Sequence, residues 1–115
     1  MKKSKNVLSS TNFWLINKSV HLALGGDVAL LLSDLSYRQD YWETRNKLTE
    51  DGFFFIERSI LKKDTLLSET KQWKASKVLI DLGVLEVKRR GIPPKNYYRI
   101  DNQKVNDLVV ILSQK

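Results

Sequence analysis

The chain has 115 residues, of which 42% are hydrophobic and 29% charged, a composition typical of one folded soluble domain. Its 20 Lys and Arg residues against 13 Asp and Glu residues give a formal net charge of +7, which indicates a polyanionic partner. The lack of cysteine excludes disulfide scaffolds and thiolate metal sites, and no apolar run approaches the roughly 20 residues needed to span a bilayer. We therefore expect a single cytoplasmic domain over residues 1–115, with no membrane attachment.

The first half of the sequence predicts a strand, a helix and a second strand. Phe13–Ile16 is a short apolar run typical of a strand. Asp27 follows two glycines and is expected to cap a helix that extends to about residue 42. Apolar residues at i, i+3, i+4 and i+7 from Val28 give this helix a core-facing stripe. Asp51-Gly52 predicts a turn, from which Phe53–Ile56 leaves as a strand.

The middle of the sequence predicts two helices joined by a short turn. Glu57–Lys63 forms a short helix, and Asp64–Leu67 is long enough only for a tight connection. Ser68 is a favoured N-cap for a second helix that continues to Leu82. Gly83 is then expected to end this helix in a left-handed conformation.

The remaining segments predict a hairpin and a last helix. Val84–Val87 and Tyr97–Ile100 read as paired strands, separated by a basic loop over residues 88–96. A stripe of four apolar residues that begins at Val105 predicts a helix over about residues 103–113. The resulting fold is an α+β winged helix-turn-helix. It has a three-helix core and a two-stranded wing over about residues 13–100, an extra N-terminal strand and a C-terminal helix.

The cations of this predicted fold are concentrated on two neighbouring elements, the second helix of the helix-turn-helix and the wing. The second helix of a helix-turn-helix enters the major groove of DNA, and a wing contacts the flanking backbone. The alternative interpretation is that the helix cations form an ordinary solvated face and that the hairpin cations serve only solubility. The candidate DNA-binding residues are Ser68, Thr70, Lys71, Lys74, Lys77, Lys88, Arg89, Arg90 and Lys95.

A rotation of about 100° per residue sorts the faces of the second helix. Around Leu79, the inward face is expected to hold Gln72, Ala75, Ser76 and Leu82. The outward face then holds Thr70, Lys74 and Lys77. Trp73 and Ile80 fall on one shoulder, where they either pack against the first helix or the wing, or form a partner surface.

Catalysis is not expected from this sequence. The one histidine, His21, lies in a probable strand region and is expected to be structural or exposed. We find no Gly-rich phosphate loop, no carboxylate pair at metal-ligand spacing and no nucleophile motif. The expectation is a binding protein without metal or cofactor.

A family resemblance adds to these arguments. It rests on five segments of the sequence: Asp51–Phe54, Asp64-Thr65, Ser68–Ala75, Leu82–Leu85 and Arg90–Ile100. They resemble the winged-helix domains at the front of replication initiators and replisome organisers in phages and plasmids of low-GC Gram-positive bacteria. The helix-turn-helix part is shared with MarR-like regulators. The resemblance implies DNA contacts from Thr70, Lys71, Lys74, Lys77, Arg89, Arg90 and Lys95. One departure is Leu66, at a turn position where the group often has glycine.

Three functional hypotheses follow. The first is recognition of double-stranded DNA in replication initiation of a phage or plasmid, with replication proteins as further partners. The second is a transcriptional repressor that binds operator DNA as a dimer. The third, from another class, is a protein-interaction module that docks through Trp73, Ile80 and Trp42. The stripe that begins at Val105 either packs on its own domain or pairs two copies, and we favour a homodimer through this C-terminal helix.

Overall fold

A computed structural model of the protein describes residues 14–114, which form five helices and one three-stranded antiparallel sheet of order β1-β3-β2. The elements in chain order are α1 (Lys18–Leu24), α2 (Gly26–Thr44), β1 (Phe54–Phe55), α3 (Arg58–Thr65), α4 (Glu69–Asp81), β2 (Leu85–Arg90), β3 (Lys95–Ile100) and α5 (Asn102–Ser113). Helices α3 and α4 form the helix-turn-helix, and the β2–β3 hairpin forms the wing. This is the order that the sequence predicted for residues 51–113.

The core lies between α2, α4 and the base of the sheet. The predicted apolar stripe of α2 is buried from Val28 to Leu35. It meets Leu79 of α4 and Leu61 of α3, both almost fully buried. Burial of each such leucine side chain stabilises the fold by about 2 kcal/mol. The packing therefore fixes α4 against the core through one face and leaves its opposite face free.

The predicted N-terminal strand is wrong for the residues that the structure describes. Trp14–Ile16 belongs to no strand, and Phe13 lies outside the described residues. The indole N–H of Trp14 donates to Asp34 Oδ1 at 3.1 Å, and the Ser33 hydroxyl donates to the carbonyl of Leu15 at 2.9 Å. The apolar run is therefore held along α2 by side-chain hydrogen bonds instead of by a strand ladder.

A short helix, α1, takes the place of the strand region expected around His21. Asn17 is its N-cap, because its side chain accepts a hydrogen bond from the backbone N–H of Val20 at 3.0 Å. Val20 is buried, whereas His21 is exposed on the same helix. The placement of His21 in a strand was wrong, and its expected exposure is confirmed.

Helix α2 begins and ends differently from the prediction. Its N-cap is Gly25, so Asp27 lies inside the first turn, where its charge still suits the helix dipole. The helix continues to Thr44 instead of ending near residue 42. Near its end the buried Gln39 amide donates to the carbonyl of Ile100 at 2.9 Å and accepts from the N–H of Ile100 at 2.7 Å. This pair of hydrogen bonds ties α2 to the base of the wing.

The turn between α3 and α4 is shorter than predicted. Helix α3 continues to Thr65, so that only residues 66–68 separate it from α4. The buried Thr65 hydroxyl accepts from the N–H of Leu67 at 3.2 Å. Leu66 adopts a left-handed conformation, with φ 62° and ψ 17°, and is 84% exposed. A leucine thus occupies the backbone geometry that favours glycine.

Both predicted caps of α4 are confirmed. The Ser68 hydroxyl accepts from the backbone N–H three residues later at 3.2 Å. At the other end Gly83 has φ +78°, and the N–H of Val84 donates to the carbonyl of Leu79 at 3.1 Å, as in a Schellman motif. Leu82, which was predicted to face inward, is the C-cap and is 42% exposed. Its inward placement was wrong because Leu82, at the end of the helix, stands about 60° around the axis from Leu79 and so lies at the margin of the buried face.

The wing is longer than predicted, and its loop is shorter. Strands β2 and β3 pair over six residues each, from Leu85 opposite Ile100 to Arg90 opposite Lys95. Only residues 91–94 form the turn. The predicted loop over residues 88–96 was therefore wrong at both ends, since the cations expected in it lie in the strands. The predicted strand Phe53–Ile56 contributes the two-residue strand β1, which pairs with β3.

Helix α5 begins at Asn102 and ends at Ser113, close to the predicted bounds. Its apolar stripe packs, partly buried, against the core cluster and consists of Val105, Leu108, Val109 and Leu112. Val110 and Ile111 on the other side of the helix are 56% and 64% exposed. The stripe is therefore used within the chain, which was the alternative to pairing two copies.

Candidate nucleic-acid interface

The outward face of α4 is polar and cationic. Thr70, Lys74 and Lys77 are exposed, as predicted. On the inward face Gln72, Ala75 and Leu79 are buried, and Ser76 is half-buried. The sorting of the helix faces is confirmed within α4 itself. A ridge with two lysines and one hydroxyl is thus exposed along the second helix of the helix-turn-helix, and Lys77 Nζ lies 3.2 Å from Asp81 Oδ1 at its end.

The three lysines of α4 line two different clefts, one on each side of the helix. Lys71 and Lys74 line a shallow cleft with Gly25 and Gly26, where α1 passes into α2. Lys77 lines a different cleft, on the side of the wing. A helix in the major groove has a phosphate backbone on each side. The lysines therefore lie on two different sides of the helix.

The cleft between α4 and the wing has Lys77 on its α4 wall and Arg89 on its wing wall. From α4 it is lined by Trp73, Lys77 and Ile80, and from the wing by Val87 and Arg89. Trp73 is 62% exposed and Ile80 41%, so that neither is packed away by the wing. Trp42, the third member of the predicted docking surface, is instead partly buried against the core. The two basic elements of the sequence analysis do meet at this cleft.

The strand alternation of β2 separates neighbouring cations. Arg89 points to the α4 side with Val87, since side chains two apart share a face. Lys88 and Arg90 point to the opposite side of the sheet, together with Phe53. Three consecutive basic residues therefore do not form one patch.

The opposite side of the sheet uses its cations to cover an aromatic ring. Phe53 is fully buried, although it lies outside the main core cluster. Above its ring centroid lie Lys88 Nζ at 5.0 Å, Arg90 Cζ at 4.8 Å and Arg99 Cζ at 4.9 Å. Cations at these distances are attracted by the ring, and their aliphatic stems exclude water from it. These three side chains therefore have a structural role in the wing.

Arg90 is held further by a carboxylate. Its guanidinium forms an ion pair with Asp51, in the turn that precedes β1. The hydrogen bonds from Arg90 hold the pKa of Asp51 well below its usual range, and those from Thr49 add to this effect. The same hydrogen bonds raise the pKa of Arg90. The guanidinium predicted to contact DNA is thus already engaged by an anion of its own chain.

Lys95 and Ser68 complete the predicted set. Lys95 is exposed, with Nζ 5.0 Å from the centroid of the Phe55 ring. It lines a second cleft, at the edge of the wing, that also includes Arg89. Ser68 is half-buried, and its hydroxyl oxygen is occupied by the cap of α4. Lys95 is therefore placed near Arg89, while Ser68 serves first to begin the helix.

Arg58 is a residue of this region that the sequence analysis missed. With the Asn96 amide oriented so that its oxygen faces the guanidinium, that oxygen accepts from Arg58 Nε at 2.9 Å and Nη2 at 3.1 Å. A carboxylate oxygen of Glu69 lies 3.6 Å from Arg58 Nη1. Arg58 lines both clefts, as does Arg89. A cation in the first turn of a helix opposes the dipole, and this was the signal that it has a role elsewhere.

Two further features bear on the kinds of site present. Within residues 14–114, no three potential metal-ligating side chains come together in one group. None of the helices in that range combines the length and apolar character needed to cross a membrane.

Comparison with known proteins gives matches at the level of structure. No protein-family model matches the sequence, and no curated protein matches it. A solved structure described as the N-terminal domain of a DNA-binding protein is 19% identical, with a TM-score of 0.65 over 94% of this chain and 92% of that chain. A structure of a Rep–DNA complex is 21% identical, with a TM-score of 0.66 over 88% of this chain and 83% of that chain. The chain therefore has the α+β winged-helix fold that the order of its helices and strands predicted.

Proposed function

We propose that this protein binds duplex DNA with α4 in the major groove and the wing on the flanking backbone. The observation that carries the proposal is the cleft with Lys77 on one wall and Arg89 on the other. A phosphate backbone that leaves the major groove would pass between these two cations. The similarity to a DNA-binding domain and to a Rep–DNA complex supports DNA as the partner.

The placement of each side chain assigns it a part in this docking. Thr70 and Lys74 stand on the outward ridge of α4 and are the residues proposed to meet base edges. Lys71 on one side, and Lys77 with Arg89 on the other, are proposed to neutralise phosphates. Lys88 and Arg90 cover Phe53 on the far side of the sheet, where the register also places Lys95 opposite Arg90, so that we assign the wing contact to Arg89.

We propose replication initiation of a phage or plasmid as the process, in the cytoplasm and with replication proteins as partners. The resemblance of the helix-turn-helix and wing segments to replication initiators supports this role, as does the likeness to the Rep structure. The chemistry is binding alone, with no catalytic step, metal or cofactor. An origin sequence recovered from a genomic fragment library would support replication, whereas operator fragments would support the repressor.

The first test is the salt dependence of duplex binding. Each phosphate contact contributes about −0.9 to the slope of log affinity against log salt concentration. The Arg89→Ala variant should lose about one contact and make the slope less negative by about 0.9. Arg90→Ala is the matched control, because the neighbouring arginine lies on the opposite face of the sheet and should leave the slope unchanged.

Two outcomes would contradict this docking. Absence of duplex binding at low salt would refute DNA binding and favour the hypothesis of a protein-interaction module. A salt slope that changes with Arg90→Ala but not with Arg89→Ala would place the DNA on the face of the wing opposite to the proposed one. Thermal unfolding of both variants checks that each is folded at the temperature of the binding measurement.

The second test separates the residues that recognise bases from those that contact the phosphate backbone. Thr70→Ala and Lys74→Ala should change which sequences are recovered from a random duplex library, because these side chains face the groove. Arg89→Ala should weaken all sequences alike, since phosphates carry no sequence information. An altered preference in the Arg89 variant alone would make the wing the reader.

A further inference from the structure

Helix α4 exposes few of the side-chain types that read DNA sequence. Arg or Lys reads guanine, and Asn or Gln reads adenine, through paired hydrogen bonds in the major groove. Between Glu69 and Asp81 the helix has no Arg and no Asn, and its one Gln, Gln72, is buried. The Gln72 amide donates to the carbonyls of Arg58 and Leu67, both at 3.0 Å. Hydrogen-bonded base recognition by this helix is therefore left to Thr70 and Lys74.

The same helix also exposes two large apolar side chains. Trp73 and Ile80 are 62% and 41% exposed and lie seven residues apart, on one side of the helix. At 1.5 Å per residue their separation along the helix axis is roughly 10.5 Å. This is about the height of three stacked base pairs at roughly 3.4 Å each. Two apolar contacts at this spacing suit a helix that lies along the groove.

The surroundings of these side chains are cationic. Lys77 lies between them on the helix surface, Lys74 follows Trp73, and Arg89 stands across the cleft. The nearest carboxylates on the helix are engaged, Glu69 with Arg58 and Asp81 with Lys77 at 3.2 Å. A partner that meets this surface needs apolar groups set within a strongly negative molecule. The C5-methyl group of thymine is the apolar group that the major groove presents.

We propose that Trp73 and Ile80 read thymine methyl groups about three base pairs apart. The inference rests on the proposed DNA binding and adds a class of recognised base to it. In this arrangement Thr70 and Lys74 keep the base edges assigned to them above, and the two apolar side chains add the preference for thymine.

The test uses deoxyuridine, which differs from thymidine only by the missing methyl group. A duplex selected from a random library is resynthesised with single thymidines replaced by deoxyuridine, and the affinity of each duplex is measured. We expect two positions, about three base pairs apart, at which the replacement weakens binding about fourfold, the factor that burial of one methyl group produces. Trp73→Ala should abolish the effect at one position and Ile80→Ala at the other.

A control variant and three outcomes make the test decisive. Leu22→Ala removes a 74% exposed leucine from α1 and should leave both deoxyuridine effects in place. Duplex binding without any deoxyuridine effect, or with effects that survive both α4 substitutions, overturns the inference and leaves the proposed function standing. Loss of self-association in the two variants, with unchanged DNA binding, overturns it in favour of a protein-docking surface. No duplex binding at all refutes the proposed function itself.

Discussion

Replacement of Leu66 by glycine should stabilise the protein. Leu66 connects α3 to α4 in a left-handed conformation, with φ 62° and ψ 17°. This conformation costs an L-residue with a Cβ atom about 1–2 kcal/mol, whereas glycine adopts it freely. The leucine side chain is 84% exposed and gives little packing in return. The turn of the helix-turn-helix therefore holds backbone strain that a single substitution can remove.

The expected gain is small because two effects oppose it. Glycine loses more backbone entropy on folding than other residues, which costs about 0.5–1 kcal/mol. Loss of the small buried part of Leu66 costs a few tenths of a kcal/mol more, at about 25 cal/mol per Å². Relief of the strain exceeds the sum of these terms by about 0.5 kcal/mol. For a chain of this size that raises the Tm by about 2 °C.

Calorimetry and urea unfolding of Leu66→Gly, with Leu66→Ala as the matched control, test this reasoning. Alanine loses the same side-chain contacts but keeps a Cβ atom, so that it should be about 1 kcal/mol less stable than the glycine variant. The affinity for DNA should be the same in all three proteins, because the turn keeps its geometry. An alanine variant as stable as the glycine variant would show that backbone conformation at this turn is not strained.

Three more predictions follow from contacts elsewhere in the molecule. Gln39→Leu should lower the free energy of unfolding in urea by about 2–4 kcal/mol, because both backbone groups of Ile100 lose their buried partner; a loss below 1 kcal/mol would contradict this. Because Arg90 lowers the pKa of Asp51, the ion pair stabilises the fold above the ordinary carboxyl pKa and is lost as the pH falls below it. The Tm advantage of the native chain over Asp51→Asn should therefore shrink below about pH 4, and a constant difference would refute the linkage. Homodimerisation stays a prediction and now concerns the exposed outer side of α5, so that light scattering should detect a dimer that Ile111→Glu returns to monomer, and a native monomer at all concentrations would end it.

The helices with local signals were predictable from sequence. The stripe from Val28 fixes α2, and the caps Ser68 and Gly83 fix both ends of α4. In each case the signal and the structure that it specifies lie within a few residues of each other. The exposed ridge of α4 followed from the same periodicity, since one buried leucine determines the orientation of the whole helix.

The segments governed by distant partners were not predictable in this way. Trp14 is held by Asp34, which lies 20 residues away, so that its apolar run gave a false strand signal. Helix α1 is only seven residues long, and its cap Asn17 follows directly after the apolar run that predicted a strand. Arg58 reaches the interface through partners on α4 and β3, which its unfavourable position in the first turn of α3 does not identify. Tertiary contacts decide these positions.

The basic wing shows why a count of charges overstates an interface. Pairing of Arg90 with Lys95 draws the expected loop into the strands, and the twofold alternation then sends Lys88 and Arg90 away from Arg89. The cations on that far side shield a buried phenylalanine, so that removal of either one should destabilise the wing. A lower DNA affinity in such a variant would therefore report folding of the wing, whereas a changed salt slope at unchanged Tm reports a phosphate contact. Affinity alone does not distinguish the two roles, and Arg89 is the wing cation whose position allows the second without the first.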